Sequence, residues 1–520
     1  MLQESRPRYS RRMTKPDFSR RTFLGAVAGA ATAGTFSGCA RAAAGQTFTP
    51  EQFGARGDGR SDDYDAFARL VKAVNAAGGG TVLLGAGRTY RIGRFVAPGN
   101  GVVDLAFDGC DPLVVEGNGA KISVEGRFAR TSPKIRGLAG LHIENSRNVT
   151  VRNLELDGNV GDTTRTPKLV ESGVMCGLSL RSCFDVRVEN IFAHHFAADG
   201  LVIRESAARD AARRRRVCRN VTVVKSRFLY NARQGTTITS LRGGLFEDCE
   251  FSYSGFVDSK GTMSRYGAHS PASGVDVEPD NSPTENDRLD VLTGDITFRR
   301  CRMVGSYGPA FLASKFQRGH YWMENVRLEN CQIECHDGET GGTDGFIFDV
   351  PGGQVVGCTL QMRDKTAYLC WNKLGNASPR FASNTVYGRN PAAHRYIFAL
   401  RANGGSPVVE GNRFIAQHRS PKPRGGGSWL IFLDNANATV RSNEMVLPKE
   451  AHHRAGALPA VYANVARMDR NTYRTDLPAG GGAHFEVVYE SATAAVGEKF
   501  NGGAASPTGA VRPLSRPRKG

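Results

Sequence analysis

The residues best suited to chemistry in this sequence are two carboxylates two positions apart, Asp276 and Glu278. They lie in the segment Ser-Gly-Val-Asp-Val-Glu-Pro-Asp, residues 273–280, in which apolar and acidic side chains alternate. Because successive side chains of a strand point to opposite faces, Val275 and Val277 are predicted to face a core while both carboxylates face outward. A carboxylate pair on one face can supply the acid and the base, or the nucleophile, that cleave a glycosidic bond.

The same alternation recurs in other segments, each behind a small residue, and this predicts a row of stacked strands. Stacking would place one set of side chains in a common interior: Leu201, Ile203, Thr236, Ile238, Val275, Val277, Phe311, Ala313, Phe346 and Phe348. The alternate set would line an external groove with the carboxylate pair near its middle: Val202, Arg204, Thr237, Thr239, Leu312, Ser314, Ile347 and Asp349. This groove is where we expect the chemistry.

Polar residues at the turns and in one long loop are predicted to complete the groove. Loop 252–272 precedes the carboxylate strand, and long loops on a rigid scaffold often carry function. The predicted catalytic residues are Asp276, Glu278, His269 and Tyr266. The predicted substrate-binding residues are Asp199, His195, Arg233, Gln234, Thr237, Thr239, Lys315 and Asp349.

From about residue 101 to residue 477 the chain repeats a short unit, in which a strand leads into Asn, Ser or Cys and then into alternating apolar positions. The marked residues are Asn153, Asn190, Ser226, Cys249, Cys301, Cys331, Cys358, Asn384, Asn412, Asn443 and Asn471. Most steps between them run from 23 to 37 residues, and the 52-residue step from Cys249 to Cys301 requires an insertion. Such self-similarity is typical of a solenoid. We predict an inward ladder of marked residues at a bend, in which Cys249, Cys301, Cys331 and Cys358 are structural.

The segment Phe53-Gly-Ala-Arg-Gly-Asp-Gly-Arg-Ser-Asp-Asp63 precedes an amphipathic pattern over residues 64–77 and then Gly79-Gly-Thr-Val. Residues 51–92 thereby resemble the opening of the pectate lyase superfamily, in particular its rhamnogalacturonase/epimerase-like branch. The resemblance implies an all-β fold, a single-stranded right-handed parallel β-helix (a solenoid) with an N-terminal capping helix. It also implies that the acidic turn caps this helix and is not catalytic.

The resemblance leaves the reaction open, because related enzymes include lyases and epimerases that remove the proton next to a uronic-acid carboxylate. We predict an exported enzyme that cleaves glycosidic bonds in an acidic polysaccharide, with β-elimination favoured. A Ca²⁺ ion held by Asp276 and Glu278 is one way to neutralise the sugar carboxylate. The alternatives are a glycoside hydrolase that uses Asp276 and Glu278 as its acid/base pair, and a non-catalytic glycan-binding solenoid at the cell surface.

The formal net charge is +18, and much of this excess lies at the two ends of the chain. Residues 1–41 hold eight basic and two acidic residues, and residues 501–520 hold four basic residues and no acid. The remaining, moderately basic body fits an acidic polysaccharide. No aromatic-basic motif repeats along the chain, so we predict no nucleic-acid partner.

The N-terminus has the pattern of a targeting signal. Ser19-Arg-Arg-Thr-Phe-Leu24 and the short apolar run after it resemble a twin-arginine signal, and the run is too short to span a membrane. Phe36-Ser-Gly-Cys39 resembles a lipobox, so Cys39 is a candidate lipid anchor, and Ala42-Ala-Ala44 is an alternative cleavage site. The predicted location is periplasmic, extracellular or lipid-anchored. The predicted organisation is a signal at 1–44, a cap at 45–100, a β-helix at 101–477, and a final strand with a disordered basic tail at 478–520.

Overall fold

A computed structural model describes most of the chain between residues 45 and 501. The described ranges are 45–93, 105–124, 139–159, 176–205, 217–263, 267–279, 293–314, 316–317, 320–337, 344–371, 375–390, 396–401, 404–419, 431–447, 458–475, 485–489 and 494–501. The predicted signal with Cys39, the predicted tail beyond residue 501, Tyr266 and Lys315 lie outside these ranges.

The fold is a right-handed parallel β-helix, as predicted. Of the 40 strands in the described ranges, 38 join one continuous sheet, in which each strand pairs in parallel with the equivalent strand of the next coil. The sheet forms three faces, A, B and C, and buried apolar side chains from all three fill a single core. Strands Phe316–Gln317 and His320–Tyr321 form a separate antiparallel pair.

The strands of each face follow one another coil by coil. Face A contains Ala106–Asp108, Ala139–Glu144, Cys176–Arg181, Asp199–Arg204, Gln234–Ile238, Val275–Val277, Phe311–Ser314, Asp344–Asp349, Thr366–Leu369, Phe398–Arg401 and Phe485–Tyr489. Face B contains Thr47–Phe48, Gly80–Leu83, Cys218–Val224, Leu241–Glu247, Thr293–Arg299, Met323–Glu329, Gln354–Val356, Arg380–Ala382, Val408–Glu410 and Ala494–Val496. Face C contains Asp58–Asp62, Thr89–Ile92, Arg227–Leu229, Glu250–Ser252, Arg302–Val304, Gln332–Glu334, Thr359–Gln361, Thr385–Asn390, Arg413–Arg419, Glu444–Leu447, Thr472–Thr475 and Lys499–Asn501. Long strands span faces B and C (Leu113–Val124, Arg147–Asp157 and Phe184–His194) or faces A and B (Ile431–Arg441 and Leu458–Asp469).

The N-terminal end carries a 3₁₀ helix, Pro50–Phe53, and the one α-helix of the described ranges, Tyr64–Ala77. The α-helix has the predicted bounds and packs its apolar side, including Leu70 and Val74, into the core. Asp63 occupies its N-cap position without a side-chain capping bond. Its carboxylate accepts hydrogen bonds from the backbone nitrogens of Arg56 at 2.7 Å and Gly57 at 3.2 Å. The acidic turn still caps the helix, but through Asp62, whose Oδ1 accepts a hydrogen bond from the Tyr64 N–H at 3.1 Å. Within the described part of the chain, no helix combines the length and apolar character that crossing a bilayer requires.

Glycines at the start of the face A strands set the close spacing of the coils. A Cβ atom on Gly200 would lie 2.8 Å from the Gly235 carbonyl oxygen, and one on Gly235 would lie 2.5 Å from that of Gly274. Real Cβ atoms do not approach a backbone oxygen this closely, so only glycine lets the backbones of successive coils meet here. The polar residues just before these glycines, Asp199 and Gln234, are thereby brought into register.

The predicted inward ladder forms between faces B and C over most of its length. Cys249, Cys301, Cys331 and Cys358 are buried free thiols, as predicted, and the row continues through Asn384, Asn412, Asn443 and Asn471. Asn412 Nδ2 donates to Asn443 Oδ1 at 2.9 Å and to the Phe381 carbonyl at 2.8 Å. The prediction was wrong for Asn153 and Asn190, which point away from the core and bond to each other at 3.0 Å. Both have left-handed backbone (φ +56° and +52°), a conformation that Asn tolerates at a corner.

The ladder makes a testable contribution to stability. We expect Asn412→Ala to lower the free energy of unfolding by roughly 2–4 kcal/mol, because it leaves buried backbone and amide partners on both neighbouring coils unsatisfied. Asn412→Cys, which copies the ladder residue of earlier coils, should cost less. Urea unfolding followed by circular dichroism measures both, and a loss of less than about 1 kcal/mol from Asn412→Ala would contradict the role of the amide.

Candidate active site on face A

A buried polar network lies on the outer side of face A and spans three consecutive coils. Arg233 Nη1 lies 3.2 Å from Asp199 Oδ2. The Thr237 hydroxyl lies 3.0 Å from the same Asp199 oxygen and also contacts Gln234 Oε1. Gln234 Nε2 in turn donates to Asp276 Oδ2. These five residues, which we call the Asp276 network, were all predicted as site residues, and the strand register brings them together.

Burial decides the protonation of the network. Asp276 is 0% exposed and Asp199 is 1% exposed, whereas the Arg233 side chain is 24% exposed. Burial, with a smaller contribution from the charge of Glu278, raises the pKa of Asp276 to about 8, against the opposing effect of Arg233. Burial also raises the pKa of Asp199, and the charge of Asp199 raises the pKa of Arg233. At neutral pH the network therefore pairs a protonated Asp276 with a charged Arg233.

Among the described residues, each of the two carboxyl groups of the Asp276 network has one buried oxygen without a hydrogen bond. Asp199 Oδ1 and Asp276 Oδ1 take part in no hydrogen bond within the described part of the chain. Burying a polar atom without a partner costs about 1–3 kcal/mol, so folded proteins rarely retain such atoms without a reason. Perturbed carboxyl groups of this kind are typical of functional sites.

Glu278 and Thr239 lie beside the network at its more accessible edge. Glu278 follows strand Val275–Val277, is half-buried, and donates its backbone N–H to the Ile238 carbonyl at 3.0 Å. Thr239 is also half-buried and follows the neighbouring strand. The coils next to Asp276 present neutral side chains at the paired positions, Thr237 on one side and Leu312 on the other. The cationic partner comes from a turn, where Arg233 precedes its strand.

Asp349 occupies a second buried position farther along face A. It is 0% exposed, and its two oxygens accept hydrogen bonds from the Tyr321 hydroxyl at 2.6 Å and the Ser314 hydroxyl at 3.4 Å. Tyr321 belongs to the short antiparallel pair and was not singled out from the sequence. The predicted Ca²⁺ site of Asp276 and Glu278 stays a prediction.

Of the remaining predicted residues, His269 belongs to a loop near the Asp276 network, and His195 lies at a different corner of the β-helix. The loop before the carboxylate strand comes close to Arg233, since the His269 backbone N–H donates to the Ala232 carbonyl at 2.9 Å. His195 instead lies at the corner that follows face C, with its ring stacked on Tyr230 at a centroid distance of 5.4 Å. It is grouped there with His194 and Asp157.

Sequence reasoning missed a patch of aromatic side chains around Arg401 on the same outer face. The Arg401 guanidinium carbon lies 5.3, 5.5 and 5.8 Å from the ring centres of Tyr368, Tyr396 and Phe432. Tyr368 is three coils from Asp276, by way of Leu312 and Ile347, which is about 14 Å at the usual strand spacing. The alternation in Thr366–Leu369 and Phe398–Arg401 was the available signal. We call Arg401 and the three rings around it, Tyr368, Tyr396 and Phe432, the Arg401 patch.

The fold and this outer face define a parallel β-helix protein with polar and aromatic positions along one side. No family model matches the chain. It is similar to a capsule KN3-specific depolymerase of Klebsiella phage KN3-1, at 28% identity over 159 residues, and to mannuronan C5-epimerase AlgE4 of Azotobacter vinelandii, at 32% identity over 173 residues. The matches cover 29% and 31% of this chain but 18% and 30% of those proteins, so they span a minor part of each relative.

Two further comparisons concern the same bacterium. Alginate lyase 7 of Azotobacter vinelandii is 29% identical over 182 residues, which are 31% of this chain and 20% of the lyase. The solved structure of the AlgE4 A-module covers 90% of this chain and 100% of that module at 16% identity, with a TM-score of 0.41.

Proposed function

We propose that this protein is a polysaccharide-modifying enzyme that binds an acidic polysaccharide along face A and cleaves it by β-elimination. The observation that carries the proposal is the Asp276 network, in which a partly exposed Arg233 pairs with Asp199, one of two buried carboxyl groups. Its partial relatives, a capsule depolymerase, an alginate lyase and mannuronan epimerases, are named for polysaccharides, which supports this class of substrate.

Arg233 would neutralise the carboxylate of a uronic-acid unit. Its guanidinium offers five N–H donors in a planar fork, enough to hold Asp199 and still bind a sugar carboxylate. That interaction lowers the cost of removing the proton on the adjacent carbon, which is the first step of β-elimination. The half-buried Glu278 and His269, whose loop reaches the coil of Arg233, are the proposed bases.

Asp276 would position Gln234 beneath this reaction and would not touch the substrate, because its side chain is excluded from solvent. The Arg401 patch would hold a second part of the same chain, since aromatic faces stack on apolar surfaces of sugars and Arg binds carboxylates. Two binding positions on one face, at Arg233 and at Arg401, would suit a polymer better than a single sugar.

We expect the protein to generate unsaturated uronate ends, seen as a rise in ultraviolet absorbance, on mannuronan or another uronic-acid polysaccharide. Glu278→Gln should lower turnover by about 10²–10⁴-fold if Glu278 transfers the proton. Arg401→Gln should chiefly raise KM. The matched control is Glu444→Gln, which changes a half-buried glutamate of face C paired with Arg413 and Arg474 and should leave turnover unchanged.

Other outcomes of this assay would reassign the reaction. New reducing ends without absorbance would favour hydrolysis, for which the buried Asp276 would have to become accessible and act with Glu278 as the acid/base pair. Exchange of solvent deuterium into the polymer without cleavage would favour C5-epimerisation, the second candidate, which the AlgE4 match supports. Binding without any of these products would favour a non-catalytic glycan-binding solenoid.

A further inference from the structure

Two neighbouring histidines at one corner of the β-helix face each other through their Nδ1 atoms. His194 ends the strand Phe184–His194, and His195 turns the chain with a left-handed backbone, φ +55°. Their Nδ1 atoms lie only 2.6 Å apart. The neighbouring strand ends with Asp157, whose Oδ1 lies 3.7 Å from His194 Nδ1.

The outer nitrogens of both rings are already engaged. His194 Nε2 lies 3.2 Å from Glu155 Oε1, and His195 Nε2 lies 3.0 Å from the carbonyl oxygen of Val257. A carboxylate and a carbonyl oxygen only accept hydrogen bonds, so each Nε2 must carry the hydrogen. In two neutral rings, both Nδ1 atoms are then left with bare lone pairs that point at each other.

Facing lone pairs repel unless a positive group lies between them. We propose that Asp157, His194 and His195 bind a divalent transition-metal ion of the Zn²⁺ class through two Nδ1 atoms and a carboxylate oxygen. These ligand atoms all lie within 4.8 Å of one another. Imidazole and carboxylate are suitable ligands for Zn²⁺, and three protein ligands leave a fourth position for water.

The surroundings match those of metal-binding histidines. Ligating histidines usually donate their second N–H to a carboxylate or a backbone carbonyl, as His194 does to Glu155 and His195 does to Val257. Lys121 lies 2.5 Å from Glu155 and 3.5 Å from Asp157 Oδ2, and the Asn159 N–H binds Asp157 Oδ1 at 3.0 Å. Two ligand atoms of a tetrahedral Zn²⁺ are about 3.3 Å apart, so the rings need to separate by less than about 1 Å.

A metal here would fasten the insertion loop to the β-helix. Val257 belongs to the loop between Glu250–Ser252 and Val275–Val277, and its carbonyl orients His195. The site uses none of the residues of the Asp276 network, so it stands or falls independently of the proposed reaction.

The test uses the full chain without a histidine tag, stripped with a chelator and then titrated with Zn²⁺ or Co²⁺. We expect Zn²⁺ to raise the melting temperature, and Co²⁺ to give visible absorption bands of a site with nitrogen ligands. His195→Asn and Asp157→Asn should weaken binding by at least about tenfold, and Glu155→Gln, which changes the carboxylate shared by His194 Nε2 and Lys121, by about 10–100-fold. His336→Gln is the matched control, since this half-buried histidine packs on Phe256 outside the cluster.

The results separate a metal site from a shared proton. Zn²⁺ and Co²⁺ binding that His336→Gln retains and His195→Asn loses would support the proposal. Absence of Zn²⁺ and Co²⁺ binding by the wild type would overturn it in favour of a proton between the rings. Equal binding by wild type and His195→Asn would also overturn it, because the metal would then lie elsewhere.

Discussion

Asp276→Asn is expected to make the protein more stable than the wild type at neutral pH. The pKa of Asp276 is raised by burial from 3.8 to about 8, so the folded state retains a proton that the unfolded state has released. Its favourable contribution is complete below about pH 4 and is lost as the pH rises through about 8, at about 1.4 kcal/mol per pH unit. Asn resembles the protonated carboxyl group and does not titrate. The difference in free energy of unfolding between the variant and the wild type should therefore grow as the pH rises from about 4 to about 8.

The measurement is urea unfolding of both proteins at several pH values between about 4 and about 8. Asp248→Asn provides a control of opposite sign, because a hydrogen bond from Arg300 lowers the pKa of this carboxyl group. Its stabilising contribution is present above the unfolded pKa and is lost on acidification, and it should be small because Asp248 is exposed. Parallel pH profiles for wild type and Asp276→Asn would show that Asp276 is ionised in the folded protein.

Arg233→Met should be among the most destabilising single changes on face A. Arg233 is the cation beside the buried Asp199, and removing one partner of a buried ion pair leaves an uncompensated charge. Such losses typically cost about 3–5 kcal/mol. The double variant Arg233→Met/Asp199→Asn removes the charge as well and should recover a large part of this cost.

The exposed pair Arg300–Asp248 supplies the control for this prediction. Its nitrogen–oxygen distance of 2.8 Å is shorter than that of Arg233–Asp199, but its side chains are 50% and 42% exposed. Arg300→Met should therefore cost no more than about 1 kcal/mol. Thermal or urea unfolding of the four proteins gives the comparison. Equal losses from Arg233→Met and Arg300→Met would mean that Asp199 does not depend on its buried partner.

The Asp276 and Arg233 variants also test the proposed function, because it gives Arg233 a contact with the substrate and Asp276 none. If a folded Arg233→Met/Asp199→Asn variant kept full turnover, Arg233 would have no role in the reaction. A folded variant that lost turnover, while Asp276→Asn retained it, would support the division between a substrate-contacting Arg233 and a positioning Asp276.

Sequence periodicity determined the fold because a solenoid is built from local, repeated constraints. The alternation around Val275 and Val277 indicated which side chains face the core, and the spacing of Cys301, Cys331 and later residues indicated the length of each coil. The helix over 64–77 followed from its apolar spacing. The same periodicity placed Thr237 and Asp276 on one outer face, and the corresponding positions of Asp199 and Gln234 just before a glycine placed them at neighbouring turns.

Only the tertiary structure decided the chemical state of these residues. A two-residue period gives the face of a side chain but not whether other segments exclude water from it, so the pKa of Asp276 could not be predicted from the sequence. The pairing of His195 with His194 and Asp157, and of Arg401 with three rings, depends on contacts between coils about 30 to 40 residues apart. The sequence set the order of the coils, and burial and register between coils decided which polar groups meet and which of them keep a charge.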